Sequence, residues 1–337
     1  MKKTITLLAI FVVLAGSTAW YFSSQKNKGK TSYKKTAEMD FAVDPERVFK
    51  VFLNDRSGNK SLLTRKDDYW LLDNKYKVRP TAISMLLYTM KKLEVKYRPA
   101  RTAKQNIIND FVTFAIEVEV YDKEDQLIKN YYVGGSDQKG SGTYMIMADA
   151  EELFAMHIPS FTGSLRPRYF LKGEQWRDKS VFAEKTEDIQ SIWVDYPKQK
   201  NKSFKLSKIG GQYEIIPFYE ATPRNNNPYL KGMAEKYLAG YESLVAEAFQ
   251  NDNEKRDSIV SLVPFCNITI TYNDREVKSV RFFPFTDIDR YGNPKPTPAG
   301  YPIFRLNADC SWGDFMLVQQ DVFKKAFWTY ELFFEKS

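Results

Sequence analysis

One order of elements occurs twice along the 337 residues. It constrains the fold more than any single motif does, because a repeated unit sets the architecture. The first occurrence opens with "RVFKVFLND" (Arg47–Asp55), an alternating run that predicts a strand. "KSLLTRKDDYWLLD" follows and reads as two short strands around a Lys-Asp-Asp turn. Pro80 then opens a helix, where its missing amide hydrogen costs nothing. Ala82, Ile83, Leu86, Leu87, Met90 and Leu93 mark the apolar face of that helix. A shorter helix is expected over Ala103–Asn109. The strands "FAIEVEVYD", "LIKNYYVGG", "TYMIM" and "ELFAMHIP" complete the set.

The second occurrence starts near Ile189 with "IQSIWVDYP". "KSFKLSKIGGQYEII" parallels the hairpin, with Gly210-Gly211 at the turn. Asn227-Pro228 are expected to open a long helix with the face Leu230, Met233, Ala234, Tyr237, Leu238, Tyr241, Leu244, Val245 and Phe249. "CNITITYND", "EVKSVRFFPF", "YPIFRLNAD" and "DFMLVQQ" match the later strands of the first set. The expected fold class is therefore α+β. Two tandem similar units, 41–178 and 185–337, each form a mostly antiparallel sheet with covering helices, after an N-terminal segment, 1–35.

"YYVGGSDQKGSGTYMIM" (Tyr131–Met147) has the first glycine spacing of a phosphate-binding loop. That loop must run from a strand into a helix whose terminal amides face the anion. Here it joins two strands, and Ser141-Gly142 stand where Lys-Ser/Thr belong. The expected role is a wide hairpin loop, with Gly134, Gly135, Gly140 and Gly142 supplying positive φ. Long loops of this kind often contact a partner.

The formal net charge is +8. Residues 1–35 hold seven lysines and no acid, which leaves 43 basic and 42 acidic residues beyond them. A nucleic-acid partner requires clustered Lys/Arg to displace counterions, and a nearly neutral body excludes that class. The apolar run Thr4–Phe22 carries no charge over 19 residues. As a helix it would be about 28 Å long, enough to cross the hydrocarbon core. Lys2 and Lys3 precede it, and Trp20, Tyr21 and Phe22 end it at interface depth. The expectation is a single-pass inner-membrane anchor over residues 4–22 with the body in the periplasm. The competing reading is a cleaved signal peptide, with Ser17 and Ala19 before the cut. The Lys26–Lys35 stretch is then a solvated basic tether.

Chemistry-bearing constellations are sparse. His157 is the one histidine, and it ends an apolar strand. A catalytic Ser–His or Cys–His system needs a nucleophile and an orienting acid beside it, and no nucleophile-elbow sequence is present. Zinc needs three or four ligands, so no metal and no cofactor is expected. "DIDRYGN" (Asp287–Asn293) opens like a calcium loop, but Tyr291 and Pro298 occupy ligand positions. Cys266 and Cys310 are candidates for a disulfide in an oxidising compartment, or for two buried thiols. "SLRPRYFLKGEQWRDKSVF" (Ser164–Phe182) concentrates Arg168, Trp176 and Arg177 among aromatics. Arg and Trp are enriched at interface hot spots, and the same residues also suit a lock between the two units.

The N-terminal run, "LTRKDDYWLLDNKYKVRPTAISMLLYTMKKLEV", the glycine stretch and "HIPSFTGSLRPRYFLKGEQWRDKSVF" together resemble the bacterial envelope proteins of the domain-of-unknown-function family 4340. Members are often encoded beside ABC-transporter components of the gliding-motility auxiliary type. The resemblance implies an extracytoplasmic, membrane-anchored accessory role and transfers no catalytic residue. The candidate interaction residues are Gly134, Gly135, Gly142, Tyr144, Arg168, Trp176 and Arg177. The leading expectation is a non-catalytic scaffold partner of an ABC-type transporter. The alternatives are an extracytoplasmic glycan- or peptide-binding module and an uncharacterised hydrolase.

Overall fold

A computed structural model describes residues 40–169, 172–285 and 304–335. The apolar run, the lysine tether and the Asp287–Asn293 turn lie outside the described residues. Two compact units divide between Trp176 and Arg177.

In the first unit, alternation produces β1 (Lys50–Asp55), with buried and half-buried side chains in strict turn. The predicted hairpin is β2 (Lys60–Arg65) and β3 (Trp70–Leu72), followed by β4 (Tyr76–Lys77). Helix α1 spans Pro80–Lys92 with proline in its first turn and Ala82, Ile83, Leu86 and Met90 buried. A short strand that the periodicity hid comes next, β5 (Glu94–Tyr97). Helix α2 covers Arg101–Phe114, longer than its sequence pattern suggests. The last four strands are β6 (Ile116–Tyr121), β7 (Leu127–Ser136), β8 (Thr143–Met147) and β9 (Leu153–His157). They form one sheet of order β4-β3-β2-β1-β6-β7-β8-β9-β5. One face packs on α1 to make the main core, with Val51, Leu86, Tyr131 and Met156 fully buried. The other face carries α2 through Ile107 and Phe111.

The second unit begins with β10 (Ser180–Phe182), β11 (Ile189–Asp195), β12 (Phe204–Ile209) and β13 (Gln212–Pro217). Gly210 and Gly211, at φ 57° and 82°, make the β12–β13 turn, as a tight hairpin with right-handed strand twist requires. Helix α3 spans only Met233–Ala239, and β14 (Leu244–Val245) and β15 (Ala248–Phe249) follow it. The long helix expected from Asn227 is therefore replaced by one short helix and two short strands. Gly232 before it sits at φ 79°. A Cβ on Gly240 would meet the Tyr237 and Lys325 carbonyl oxygens at 2.9 and 3.2 Å. Tyr241 and Leu244 still reach the same core as α3, so helical spacing of the apolar residues did not require a helix. Helix α4 (Arg256–Val260), β16 (Cys266–Tyr272), β17 (Val277–Pro284), β18 (Arg305–Cys310), β19 (Phe315–Gln319) and α5 (Gln320–Phe323) complete the unit.

Its sheet has the order β13-β12-β11-β16-β17-β18-β19-β15. Element for element this is the first sheet without β4. The described fold is α+β, and its sheet pairings are antiparallel. Among the described residues no helix is long and apolar enough to cross a membrane.

Candidate functional site

The glycine stretch turns out to be a packing device. Gly134 and Gly135 lie in β7, where the β7–β8 register shifts between Val133 and Ser136. Neither adopts positive φ; within the stretch only Gly140 does, at 64°. What Gly134 supplies is room. A Cβ there would stand 2.6 Å from Phe111 Cε2, the aromatic knob by which α2 docks on the sheet. Arg166 ties the same place together by donating to the carbonyls of Val133 and Phe114.

The six-residue loop from Asp137 to Gly142 is closed by its own first side chain. Asp137 is buried. It accepts hydrogen bonds from Ser141 N–H at 2.8 Å and from the Tyr97 hydroxyl at 3.2 Å. Lys96 donates to Ser141 Oγ and O. Burial opposes ionisation of Asp137, but the amides of Ser141 and Gly142, the Tyr97 hydroxyl and nearby Lys96 outweigh it. The carboxyl is held below its ordinary value. A Cβ on Gly142 would sit 2.9 Å from Asp137 Oδ2. Tyr144, on β8, packs beside α2. Gly134, Gly142 and Tyr144 thus come together around a self-closed loop, which presents no open cradle.

The Arg/Trp segment separates at the unit boundary. Trp176 is fully buried in the first core, and its carbonyl accepts from Arg79 N–H. An indole with no exposed surface cannot serve as a contact anchor, so that expectation is corrected: Trp176 is core. Arg168 is half-buried, donates to Thr89 Oγ1 on α1 at 3.1 Å and lies over the Phe161 ring. Arg177 belongs to the second unit. Its guanidinium reaches both Asp314 oxygens at 2.8 and 2.9 Å and lies 4.1 Å over Phe249. His157 ends β9 opposite Glu94 of β5. Cys266 and Cys310 are free and buried, which corrects the disulfide expectation. They lie on β16 and β18 with β17 between them. Two strand spacings put their Cα atoms on the order of 10 Å apart, beyond the reach of about 7 Å for a bridge. Burial pushes both thiols up.

The feature that sequence reasoning missed lies in the second unit, as a groove of about 860 Å³. Three stretches remote in sequence build it. The β16–β17 hairpin contributes Tyr272, Asn273, Asp274, Glu276 and Lys278, the β18–β19 turn Ser311 and Trp312, and the chain after β10 Glu184 and Asp188. Arg275 at φ 73° and Gly313 at φ 96° make the two turns. Asn273 fastens the hairpin to the neighbouring turn, donating from N–H to Asp188 O and from Nδ2 to Glu187 O.

On the groove floor, Lys278 Nζ lies 2.8 Å from Glu184 Oε1 and 4.6 Å from the Trp312 ring centroid. Trp312 Nε1 donates to Asp314, and 41% of the residue remains exposed. Burial, reinforced by the bond to Glu184, pushes the Tyr272 hydroxyl up, so that hydroxyl stays a neutral donor. Four carboxylates face one ammonium along the lining, a net of −3. Such a groove is chemically fit to hold a cationic or polyhydroxylated ligand, with Trp312 as an apolar platform. Among the described residues no three His, Cys, Asp or Glu side chains are grouped to hold a metal ion.

The model of the family described as Domain of unknown function (DUF4340) matches residues 70–259. The chain belongs to this family. The match spans β3 of the first unit through α4 of the second, so it includes the glycine stretch, the Arg/Trp segment and the Glu184–Asp188 wall of the groove. No curated protein and no solved structure matches the chain.

Proposed function

We propose that this is a non-catalytic, membrane-tethered protein of the cell envelope, an accessory partner of an ABC-type transporter. In this reading the anchor is residues 4–22, the body faces the periplasm, and the groove of the second unit engages a basic extracytoplasmic segment of the partner. The observation that carries the reading is the groove itself, which combines a volume suited to a ligand with an exposed tryptophan and an excess of carboxylate. Charge of this kind steers a cationic partner and sets specificity. The uncharged run before the body, and the transporter context implied by the family resemblance, support the tether and the choice of partner.

The exposed Trp312 ring favours a second reading, an extracytoplasmic binding module for a glycan or a free peptide. A sugar face stacks on such a ring while neighbouring carboxylates accept its hydroxyls.

The test is mild-detergent purification of the tagged full-length protein from its native membranes, with mass spectrometry of what accompanies it. Wild type is compared with Asp274→Lys/Glu276→Lys. Transporter subunits recovered in stoichiometric amount with wild type and lost from the charge-reversed variant support the proposal. Equal recovery with both removes the groove from it. A wild-type protein that comes out alone removes the transporter, and binding of basic peptides and envelope glycans to the protein then decides the second reading.

A further inference from the structure

The outer faces of the two sheets differ in a way that the shared topology does not require. The register-paired strands align Asn54–Glu117 with Asp195–Asn267, both joined by an amide-to-carboxylate hydrogen bond. Counting on from there, Tyr132 and Ile146 of the first sheet occupy the places of Arg281 and Asp309 in the second. In the second unit that face is closed: Asp309 pairs with Arg281 at 2.7 Å and with Arg256 at 3.0 Å. In the first unit the same place is an open trough of about 440 Å³.

Ile108, Val112, Tyr132, Ile146 and Leu153 line the trough. Val112 on α2 is 69% exposed. Arg56 and Lys104 also line it, against Glu151. The exposed Arg56 guanidinium lies over the Tyr132 ring at 5.7 Å.

We propose that this trough binds a single-chain anionic amphiphile, a long-chain fatty acid whose acyl chain lies along Tyr132, Ile146 and Val112 and whose carboxylate meets Arg56. The floor of the trough favours an acyl chain over an extended peptide. The floor is formed by β7 and β8, interior strands whose backbone groups are already paired. An extended peptide laid there would find no strand edge to pair with, whereas a methylene chain needs none. Of the two lining cations Lys104 already pairs with Glu152 at 3.5 Å, which leaves Arg56 to meet a carboxylate. The proposal rests on the first unit alone and is independent of the groove in the second.

The test uses full-length protein in lipid nanodiscs, a palmitate analogue carrying a terminal diazirine, and the corresponding fatty alcohol as a neutral control. After irradiation, labelled peptides are expected to contain Ile108–Val112 or Ile146–Leu153. Val112→Glu, at an exposed position that the fold does not need, should cut labelling about tenfold. Arg56→Ala should cut palmitate labelling about tenfold, the worth of one charge-assisted contact, and leave alcohol labelling unchanged. Labelling elsewhere, or labelling indifferent to Val112→Glu, overturns the site. Equal effects of Arg56→Ala on acid and alcohol overturn the headgroup assignment. Loss of label as the anionic phospholipid of the disc is raised makes bilayer lipid the occupant and overturns a free fatty acid.

Discussion

Gly134→Ala adds one methyl group at the most crowded glycine of the first unit. The new Cβ would stand 2.6 Å from Phe111 Cε2 and 2.8 Å from Cζ, about 1 Å inside ordinary carbon contact. The ring is buried with Ile107, Ala115 and Leu153, so yielding means giving up those contacts. Either Phe111 leaves its place or α2 lifts from the sheet. Overpacking of this kind costs about 1–3 kcal/mol. For a unit of this size that lowers the unfolding midpoint by roughly 2–4 °C per kcal/mol.

Gly135→Ala is the control. Its Cβ would meet Phe114 Cε2 at 3.3 Å, and Phe114 is only half-buried, so the ring can yield and the cost stays below about 1 kcal/mol. Phe111→Leu withdraws the colliding atoms. In a double-mutant cycle it should recover about 1 kcal/mol or more of the Gly134→Ala penalty. Thermal and denaturant unfolding of the full-length protein measure the sums, and amide exchange along α2 localises the change. If Gly134→Ala is no worse than Gly135→Ala, or if its effect simply adds to that of Phe111→Leu, the glycine is not there to receive the ring.

Two further perturbations test the same picture of the first unit. Trp176→Ala empties a fully buried site and should cost about 3–5 kcal/mol; a variant with near-native unfolding would return Trp176 to the surface. Burial opposes ionisation of Asp137, but the amides of Ser141 and Gly142 hold its folded pKa below the ordinary aspartate value. Its contribution is therefore fully present above roughly pH 4 and is lost as pH falls through the folded value. Asp137→Asn should lower stability at neutral pH and flatten the acid limb of the stability curve, and parallel limbs for wild type and variant would show that the loop closure contributes nothing.

Much of this molecule was legible as local pattern. Strict alternation in "FAIEVEVYD" and "CNITITYND" predicted strands because a pleated backbone sends successive side chains to opposite faces. Pro80 and the apolar spacing after it predicted α1, and Gly210-Gly211 predicted a tight turn. The doubled order of elements was visible because each unit repeats the same sequence of periods, and it reappears as two sheets of one strand order. The family was legible in the quoted segments, among them the glycine stretch and the Arg/Trp segment, which fall within the matched residues 70–259.

What the pattern could not decide was which neighbour each residue would meet. Tyr237 through Phe249 had helical spacing, yet Gly240 is hemmed by carbonyl oxygens and the chain turns into strands. Gly134 and Gly135, read as turn formers, proved to be space beside the Phe111 and Phe114 rings, because α2 crosses the sheet just there. Trp176 and Arg177, adjacent in sequence, divided between two cores. Cys266 and Cys310 were set apart by an intervening strand. The groove collects Glu184, Tyr272, Lys278 and Trp312 from three stretches of chain whose proximity exists only once the sheet has its order. Sequence by itself determined the periods and the turns, which are properties of a few adjacent residues. Tertiary structure decided the sites, because a site is a set of distances between residues that the chain keeps far apart.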